Sequence, residues 1–217
     1  MVVSRKSPAI GEMLITAAVA ALLLVLLAAA VAAGSATLQA WDLATAAWFH
    51  GHAHAAMTQV MRAITILGSP PFVLSGSAAL AVGLLLRRAR RTCALLVAIV
   101  PGGMLLNVVV KNLVQRHRPV FTDPLVTLST YGFPSGHTAA STLLYGALTA
   151  YWLRHGDGSA RPAALIAGPL IIVLVGLSRI YLGVHYLSDV IAGVLEGLAW
   201  LLLWAALAAE RERCDAA

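Results

Sequence analysis

Residues 13–33 read MLITAAVAALLLVLLAAAVAA, an apolar stretch that contains no charged side chain. A helix needs about 20 such residues to cross the hydrocarbon core of a bilayer. Comparable stretches recur along the chain, and short polar or basic segments separate them. We therefore expect an all-α integral membrane bundle of six transmembrane helices, at about residues 13–33, 60–86, 93–114, 137–153, 163–177 and 187–208.

The composition of the chain also indicates that lipid is its solvent. Of the 217 residues, 60% are hydrophobic and 11% are charged, whereas soluble domains are about 45 to 50% apolar and about 25% charged. This length suits one compact bundle, so we expect a single membrane domain over residues 1–217.

The net charge of +6 could suggest a nucleic acid partner, but nucleic-acid-binding proteins gather their basic residues on one solvated face. Here ten of the 15 Lys and Arg residues fall in short clusters that the alternating spans bring to one side of the membrane. The positive-inside rule makes that side cytoplasmic. We expect no nucleic acid partner, both termini in the cytoplasm, and a location in the inner (plasma) membrane.

Two irregular segments interrupt the pattern of apolar spans. Residues 34–56 mix Trp, Phe and His with polar residues, which predicts an interfacial loop with an aromatic belt. Residues 68–71 read GSPP and lie inside the second span. Because proline removes backbone donors and kinks a helix, we expect a break there.

Lys111 and Arg118 lie seven residues apart, just before Pro119. Positions seven apart on an α-helix face nearly the same way, and the helix should stop at Pro119. We therefore expect both cations on one face at the outer end of the third span. Two interpretations stay open: the side chains snorkel toward lipid headgroups, or they bind an anion.

Pro134, Ser135, Gly136 and His137 open the fourth span. The N-terminus of a helix offers unpaired N–H groups and the positive end of its dipole, which suits a phosphate. Ser135 can cap the helix and can also donate to an anion. An ordinary N-cap has the same sequence, but it leaves His137 unexplained.

Arg179, His185 and Asp189 lie between the fifth and sixth spans. Asp189 follows His185 by four residues, so a helix that begins there brings the carboxylate beside the imidazole. A carboxylate in that position fixes the tautomer of the ring and supports positive charge on it. Gly183 allows the turn that lets Arg179 and His185 face one site.

The three segments together place three cations, two histidines, one carboxylate and a helix N-terminus at the outer membrane face. Phosphoryl transfer requires such groups: positive charge on the equatorial oxygens, an in-line nucleophile, and an acid for the leaving oxygen. The combination predicts phosphoryl-transfer chemistry.

The segments KNLVQRHRP (111–119), PSGH (134–137) and SRIYLGVHYLSD (178–189) resemble the three signature blocks of the type 2 phosphatidic acid phosphatase superfamily. The resemblance is to a bacterial membrane member of that superfamily. It implies a phosphatase that needs no catalytic metal and no other cofactor.

The resemblance also implies a role for each matching residue. His185 should be the nucleophile that forms a phosphohistidine, Asp189 should orient it, and His137 should protonate the leaving group and later activate water. The implied phosphate cradle consists of Lys111, Arg118, Ser135, Gly136 and Arg179.

The implied substrate is a lipid phosphate monoester or pyrophosphate, such as undecaprenyl pyrophosphate, phosphatidic acid or phosphatidylglycerol phosphate. Its headgroup would reach the site from the extracytoplasmic side, and membrane lipids would be the other partners. Two alternatives stay open: a lipid phosphotransferase that uses the same phosphohistidine, and a catalytically inactive membrane protein that only binds phospholipid. The sequence does not determine the oligomeric state.

Three histidines outside these segments, His50, His52 and His54, alternate along the chain. They come without cysteine or a nearby carboxylate cluster, and metal-binding helices usually space histidines three or four residues apart. We expect no metal site there.

Overall fold

The computed structural model describes residues 10–158 and 160–215, and no strand occurs in these two ranges. The chain there folds into eight helices, so the predicted all-α class is confirmed. The helices are α1 (Ile10–Ala32), α2 (Ala36–Gly51), α3 (Ala55–Ile66), α4 (Pro70–Leu86), α5 (Arg90–Val114), α6 (Gly136–His155), α7 (Ala160–Tyr181) and α8 (Leu187–Asp215).

Five segments within the described residues are long and apolar enough to cross a membrane: α1, the pair α3 and α4 taken together, α5, α7 and α8. The remaining predicted span, the fourth along the chain, corresponds to α6, whose 20 residues are also enough to cross a bilayer core. It packs against α4, α5, α7 and α8. Because protein surrounds α6 on most sides, its side chains need not be as apolar as those of a lipid-facing helix.

The predicted loop at residues 34–56 is mostly a helix, so this prediction was wrong. Gly34, with φ +65°, makes the turn after α1, and α2 then covers residues 36–51. One face of α2 buries Asp42 and Ala46, whereas Trp41 and Trp48 are exposed on the other. A mixed composition of this kind suits a loop, but it also suits a helix at the membrane interface with one apolar and one polar face.

The predicted break in the second span is confirmed. Helix α3 ends at Ile66 and α4 begins at Pro70, a position where the missing N–H of proline costs nothing. Ser69 is the N-cap of α4, and its Oγ accepts from the N–H of Phe72 at 3.4 Å. Gly68 in the turn lies so close to α7 that an added Cβ would approach Val175 Cγ1 to 2.5 Å.

The close packing of α8 on α6 positions the residues of interest. A Cβ added to Gly193 of α8 would lie 2.6 Å from the carbonyl oxygen of Ser135, and one added to Gly197 would lie 2.6 Å from Thr142 Cβ. The N–H of Ser135 also donates to the carbonyl of Asp189 at 2.9 Å. The start of α6 and the start of α8 are thereby held side by side.

Exposed ion pairs join the helix ends at the opposite end of the bundle. Arg91, at the start of α5, pairs with Asp215 at the end of α8, and Arg154, near the end of α6, pairs with Glu212. The signature residues and these arginines therefore lie at opposite ends of the same helices.

Candidate active site

The turn between α7 and α8 brings His185 next to Asp189. Gly183, with φ +70°, follows the end of α7, and the N–H groups of Gly183 and Val184 donate to the carbonyls of Ile180 and Arg179. This is the pattern in which a glycine in the left-handed region closes a helix. The glycine turn predicted from the sequence is therefore present, and α8 begins two residues after His185.

His185 is almost completely buried, with 1% of its surface exposed. Its Nδ1 lies 3.3 Å from Asp189 Oδ2, and a carboxylate accepts hydrogen bonds. Nδ1 therefore carries the ring hydrogen, and Nε2 keeps a lone pair. That lone pair accepts from Arg118 Nη1 at 2.9 Å.

Burial lowers the pKa of the His185 ring to about 4. The guanidinium groups of Arg118 and Arg179 lower this pKa further, against the opposing effect of Asp189. The ring is therefore neutral at pH 7, the state in which an imidazole can act as a nucleophile.

Arg118 does not lie on the helix that carries Lys111, so the expectation of one shared helix face was wrong. Helix α5 ends at Val114, and Gln115 follows it in the left-handed region with φ +51°. The two cations still converge, because both donate to the carbonyl of Tyr131, each at 2.9 Å.

All five N–H groups of Arg118 have acceptors. Four go to the carbonyls of Thr130, Tyr131 and Val184 and to the hydroxyl of Thr130, at 2.6 to 2.9 Å. The fifth donates to Nε2 of His185. Since a guanidinium has five donors in a fixed fork, Arg118 is held rigidly with one N–H aimed at the position of the reacting nitrogen.

Lys111 and Arg179 both keep donors for an anion. Lys111 Nζ donates to the carbonyls of Tyr131 and Pro134 at 2.9 and 2.8 Å, which leaves one of its three N–H groups. Arg179 is 3% exposed, and its Nη1 donates to Thr65 Oγ1 at 2.8 Å. Its buried Nε has no acceptor within the described part of the chain, an arrangement that an anion would complete.

The start of α6 contributes a helix N-terminus and a second histidine. Ser135 occupies the N-cap position, but its hydroxyl does not bond to the backbone of α6 and instead accepts from Thr138 Oγ1 at 3.0 Å. His137 follows in the first turn, within electrostatic range of His185, Lys111 and Arg179. The N–H groups of this first turn have no partner within the helix, and Pro134, just before it, accepts from Lys111 Nζ at 2.8 Å.

The three alternating histidines take up separate roles. His50 Nε2 lies 2.8 Å from Asp123 Oδ1, His52 Nδ1 contacts the carbonyl of Trp48 at 2.7 Å, and His54 is the N-cap of α3. The described residues contain no group of three or more His, Cys, Asp or Glu side chains that could hold a metal ion.

The sequence analysis missed a second layer of charged residues behind His185. Arg116 donates to Asp189 Oδ1 and to Asp42 Oδ2, each at 2.7 Å. A buried carboxylate at position 42 signals a partner, but that partner is 74 residues away along the chain.

The cluster can therefore position a phosphoryl group between a neutral imidazole and several donors. Three cations and a helix N-terminus supply positive charge for the equatorial oxygens. Nε2 of His185 supplies a lone pair, and Asp189 on the far side of the ring can stabilise the positive charge that develops as Nε2 reacts. His137 is the second histidine within electrostatic range of this position.

Comparisons with known proteins agree with this chemistry. The family model of the PAP2 superfamily matches residues 91–213. Phosphatidylglycerophosphatase B of Bacillus subtilis (strain 168) is 35% identical over 150 residues, which cover 68% of this chain and 73% of that protein. The undecaprenyl-diphosphatase of Sulfolobus acidocaldarius is 34% identical over 128 residues, which cover 54% of this chain and 55% of that protein.

A solved structure resembles the whole bundle. The crystal structure of a transmembrane PAP2 type phosphatidylglycerolphosphate phosphatase from Bacillus subtilis aligns with a TM-score of 0.82 and 29% identity, covering 90% of this chain and 96% of that one. The family match extends over more than half of the chain and includes all three signature segments. This chain belongs to the PAP2 superfamily.

Proposed function

We propose that this protein is a membrane phosphatase that hydrolyses a phosphate monoester or diphosphate of a lipid through a phosphohistidine at His185. One observation carries the proposal. Nε2 of His185 presents a lone pair to a cluster of cations, while its Nδ1 contacts Asp189 at 3.3 Å. A neutral, buried imidazole with this backing is suited to nucleophilic attack on a phosphorus atom.

In the first step Nε2 of His185 forms a bond to phosphorus as the bond from phosphorus to the leaving oxygen breaks. His137 donates a proton to that oxygen, and the ring of His185 gains positive charge that Asp189 stabilises. In the second step His137 takes a proton from water, the water oxygen bonds to phosphorus, and the P–N bond breaks. Inorganic phosphate leaves, and Nε2 recovers its lone pair.

The donors that stay free support the proposed cradle. Lys111 keeps one N–H, Arg179 keeps a buried Nε without an acceptor, and the first turn of α6 adds the N–H of Gly136 and the hydroxyl of Ser135. A phosphate offers three oxygens that can accept from all of them. Arg118 would transfer its fifth N–H from Nε2 of His185 to a phosphate oxygen when substrate binds.

The names of the relatives suggest where to look for the substrate. They include phosphatases of phosphatidylglycerol phosphate and of a polyprenyl diphosphate, and both lipids carry a phosphate headgroup on an apolar tail. We propose that the tail stays in the bilayer while the headgroup enters from the extracytoplasmic side of the plasma membrane. This orientation follows from the basic helix ends opposite the site.

The test is phosphate release by the purified protein in lipid vesicles that contain phosphatidylglycerol phosphate, phosphatidic acid or undecaprenyl pyrophosphate. We expect release that survives EDTA and that falls by at least about 10³-fold in His185→Ala. His155→Ala is the matched control, because His155 lies exposed at the other end of α6, and it should leave release unchanged.

A second measurement tests the intermediate directly. Labelled substrate, quenched in alkali, should leave phosphate on the wild-type protein in a form that acid removes, and none on His185→Ala. Wild-type protein that releases no phosphate from any of these lipids would contradict the proposed function. Equal activity of wild type and His185→Ala would contradict the assignment of the nucleophile.

A further inference from the structure

Arg116 lies between two buried carboxylates that come from different helices. Its Nη2 donates to Asp42 Oδ2 of α2, and its Nη1 donates to Asp189 Oδ1 of α8, each at 2.7 Å. Asp42 is 2% exposed and Asp189 is fully buried. The guanidinium also lies 4.4 Å from the centre of the Tyr186 ring, a cation–π contact that fixes its plane.

Asp42 also binds the first turn of α8. Its Oδ1 accepts from the N–H of Ser188 at 3.0 Å, and its Oδ2 accepts from the hydroxyl of Ser188. The N–H groups in the first turn of a helix have no partner within the helix. Asp42 therefore caps α8 from another helix, and it does so at the residue beside Asp189.

The two oxygens of Asp189 have separate partners. Oδ2 accepts from the N–H of Tyr186 at 2.9 Å and lies 3.3 Å from Nδ1 of His185, whereas Oδ1 accepts from Arg116. Rotation of the carboxylate would break the short contact with Arg116. Arg116 thereby fixes the oxygen that faces the imidazole, although it touches neither His185 nor, in the proposed mechanism, the phosphate.

The charges explain why Asp42 accompanies Arg116. A lone guanidinium 2.7 Å from Asp189 would oppose the positive charge that the His185 ring acquires, and this effect is strong where water is excluded. Asp42 at the other end of the guanidinium offsets it. The group formed by Asp42, Arg116 and Asp189 keeps one net negative charge next to the imidazole.

We propose that Arg116 and Asp42 are positioning residues. They fix the orientation of the Asp189 carboxylate relative to the His185 ring, and they preserve the net negative charge beside that ring. The inference rests on the proposed function, because it assigns Asp189 the role of supporting a nucleophile. Asp42 lies outside residues 91–213, the part of the chain that matches the family model. The interfacial helix α2 thereby contributes to the active site from outside the region that carries the family match.

The kinetic test is a double-mutant cycle of Arg116→Gln, Asp42→Asn and the combined variant, in vesicles with the lipid that wild type hydrolyses best. We expect kcat to fall about tenfold to hundredfold in each single variant, as for residues that orient a reacting group, with KM changed by less than about threefold. The combined variant should be no slower than Arg116→Gln, since Asn at position 42 keeps an oxygen that can accept from the N–H of Ser188, and the charge of Asp42 acts through Arg116. Arg116→Lys should have a higher kcat than Arg116→Gln but a lower one than wild type, because lysine keeps the positive charge but cannot bind two carboxylates as the planar guanidinium does.

Matched controls are Arg62→Gln and Asp123→Asn, which remove an exposed cation and an exposed carboxylate. Both should keep wild-type kcat. Retention of kcat within twofold in both Arg116→Gln and Asp42→Asn would overturn the inference. So would losses that multiply in the combined variant, or losses that appear in KM alone.

Titration of His185 gives a readout that needs no turnover. NMR of histidine-labelled protein in detergent, assigned with a His185→Asn variant, should show the ring titrating at a higher pH in Arg116→Gln, because a nearby cation is gone. In Asp42→Asn the pH at which the His185 ring titrates should not rise. Asp42→Asn is isosteric, so it tests the idea even where Arg116→Gln fails to fold.

The two readouts separate the inference from the proposed function. If wild type releases no phosphate but the titration responds as described, the positioning role stands and the proposed function fails. If wild type is active and neither kcat nor the titration changes in the variants, the positioning role fails and the proposed function stands.

Discussion

Burial of the His185 ring determines the pH at which the ring becomes protonated. Its pKa is lowered to about 4, chiefly by burial, from about 6.5 for a free imidazole. The neutral, nucleophilic form therefore persists as pH falls through 6.5, and it is lost only as pH falls through about 4. We expect the acid limb of kcat/KM to lie near 4 once the ionisation of the substrate, followed by phosphorus NMR, is taken into account. A limb at 6.5 would mean that the ring is exposed to water.

Asp189 is the residue whose removal should affect the chemistry most without affecting binding. In Asp189→Asn the amide can donate to Nδ1 of His185, which moves the ring hydrogen to Nε2 and removes the lone pair that attacks phosphorus. We expect kcat to fall by about 10³ to 10⁴-fold, as for the equivalent change in a Ser-His-Asp triad, with little change in KM. Steady-state kinetics beside the exposed Asp123→Asn variant would check this. An unchanged kcat would show that Asp189 does not orient the ring.

The contrast between Asp189 and Arg116 shows how far single residues could be interpreted from sequence. His185 and Asp189 are four apart, and local helix geometry alone brings them together. Arg116 lies two residues from Arg118 and has a similar local sequence, so its partners Asp42 and Asp189 could not be inferred. Those partners are 74 and 73 residues away, and only the packing of α2 and α5 against α8 brings them within reach.

At the scale of helices, the contact between α6 and α8 decides whether the two halves of the site meet. An added Cβ at Gly193 would lie 2.6 Å from the carbonyl oxygen of Ser135, and a backbone atom cannot move aside easily. We expect Gly193→Ala to destabilise the protein by about 1 to 3 kcal/mol, as overpacking does, and to reduce activity, because it separates the starts of α6 and α8.

Gly83→Ala makes the same chemical change in α4, where an added Cβ has nothing within 4 Å. Alanine favours a helix over glycine by about 1 kcal/mol, so this control should be neutral or stabilising. Thermal unfolding of both variants in one detergent would measure the difference. Equal melting temperatures would indicate that α6 and α8 can separate at no cost.

The helices also differ in how well the sequence predicted them. The break between α3 and α4 followed from a proline pair, because proline acts on its own backbone whatever surrounds it. Helix α2 was missed because its sequence pattern is weak and its inner face is stabilised by partners elsewhere in the chain. Asp42 is buried there only because α8 and Arg116 bind it.

For the whole molecule, the distribution of charge gives the bundle two different ends. Arginines and acidic residues pair on the surface where α5 begins and α6 and α8 end. At the other end the cations around His185 are withdrawn from the surface: Arg179 is buried, and Lys111 and Arg118 are half-buried. The five apolar spans followed from hydropathy, since lipid imposes that pattern on every helix it touches. The conformation of residues 120–133 could not be predicted in this way, because hydrogen bonds from Lys111 and Arg118 hold its carbonyls in place.

The proposed orientation of these two ends can be tested with thiol labelling. Cys214 is exposed near the end of α8, whereas Cys93 is buried, so in a Cys93→Ser background Cys214 reports the end of the bundle away from the site. Val120 is 91% exposed at the site end, and Val120→Cys with Cys214→Ser reports that end. A membrane-impermeant maleimide should label Val120→Cys in intact cells and Cys214 only after permeabilisation. The reverse pattern would place the site in the cytoplasm, where the headgroups of the inner leaflet, not those of the outer leaflet, would be its substrates.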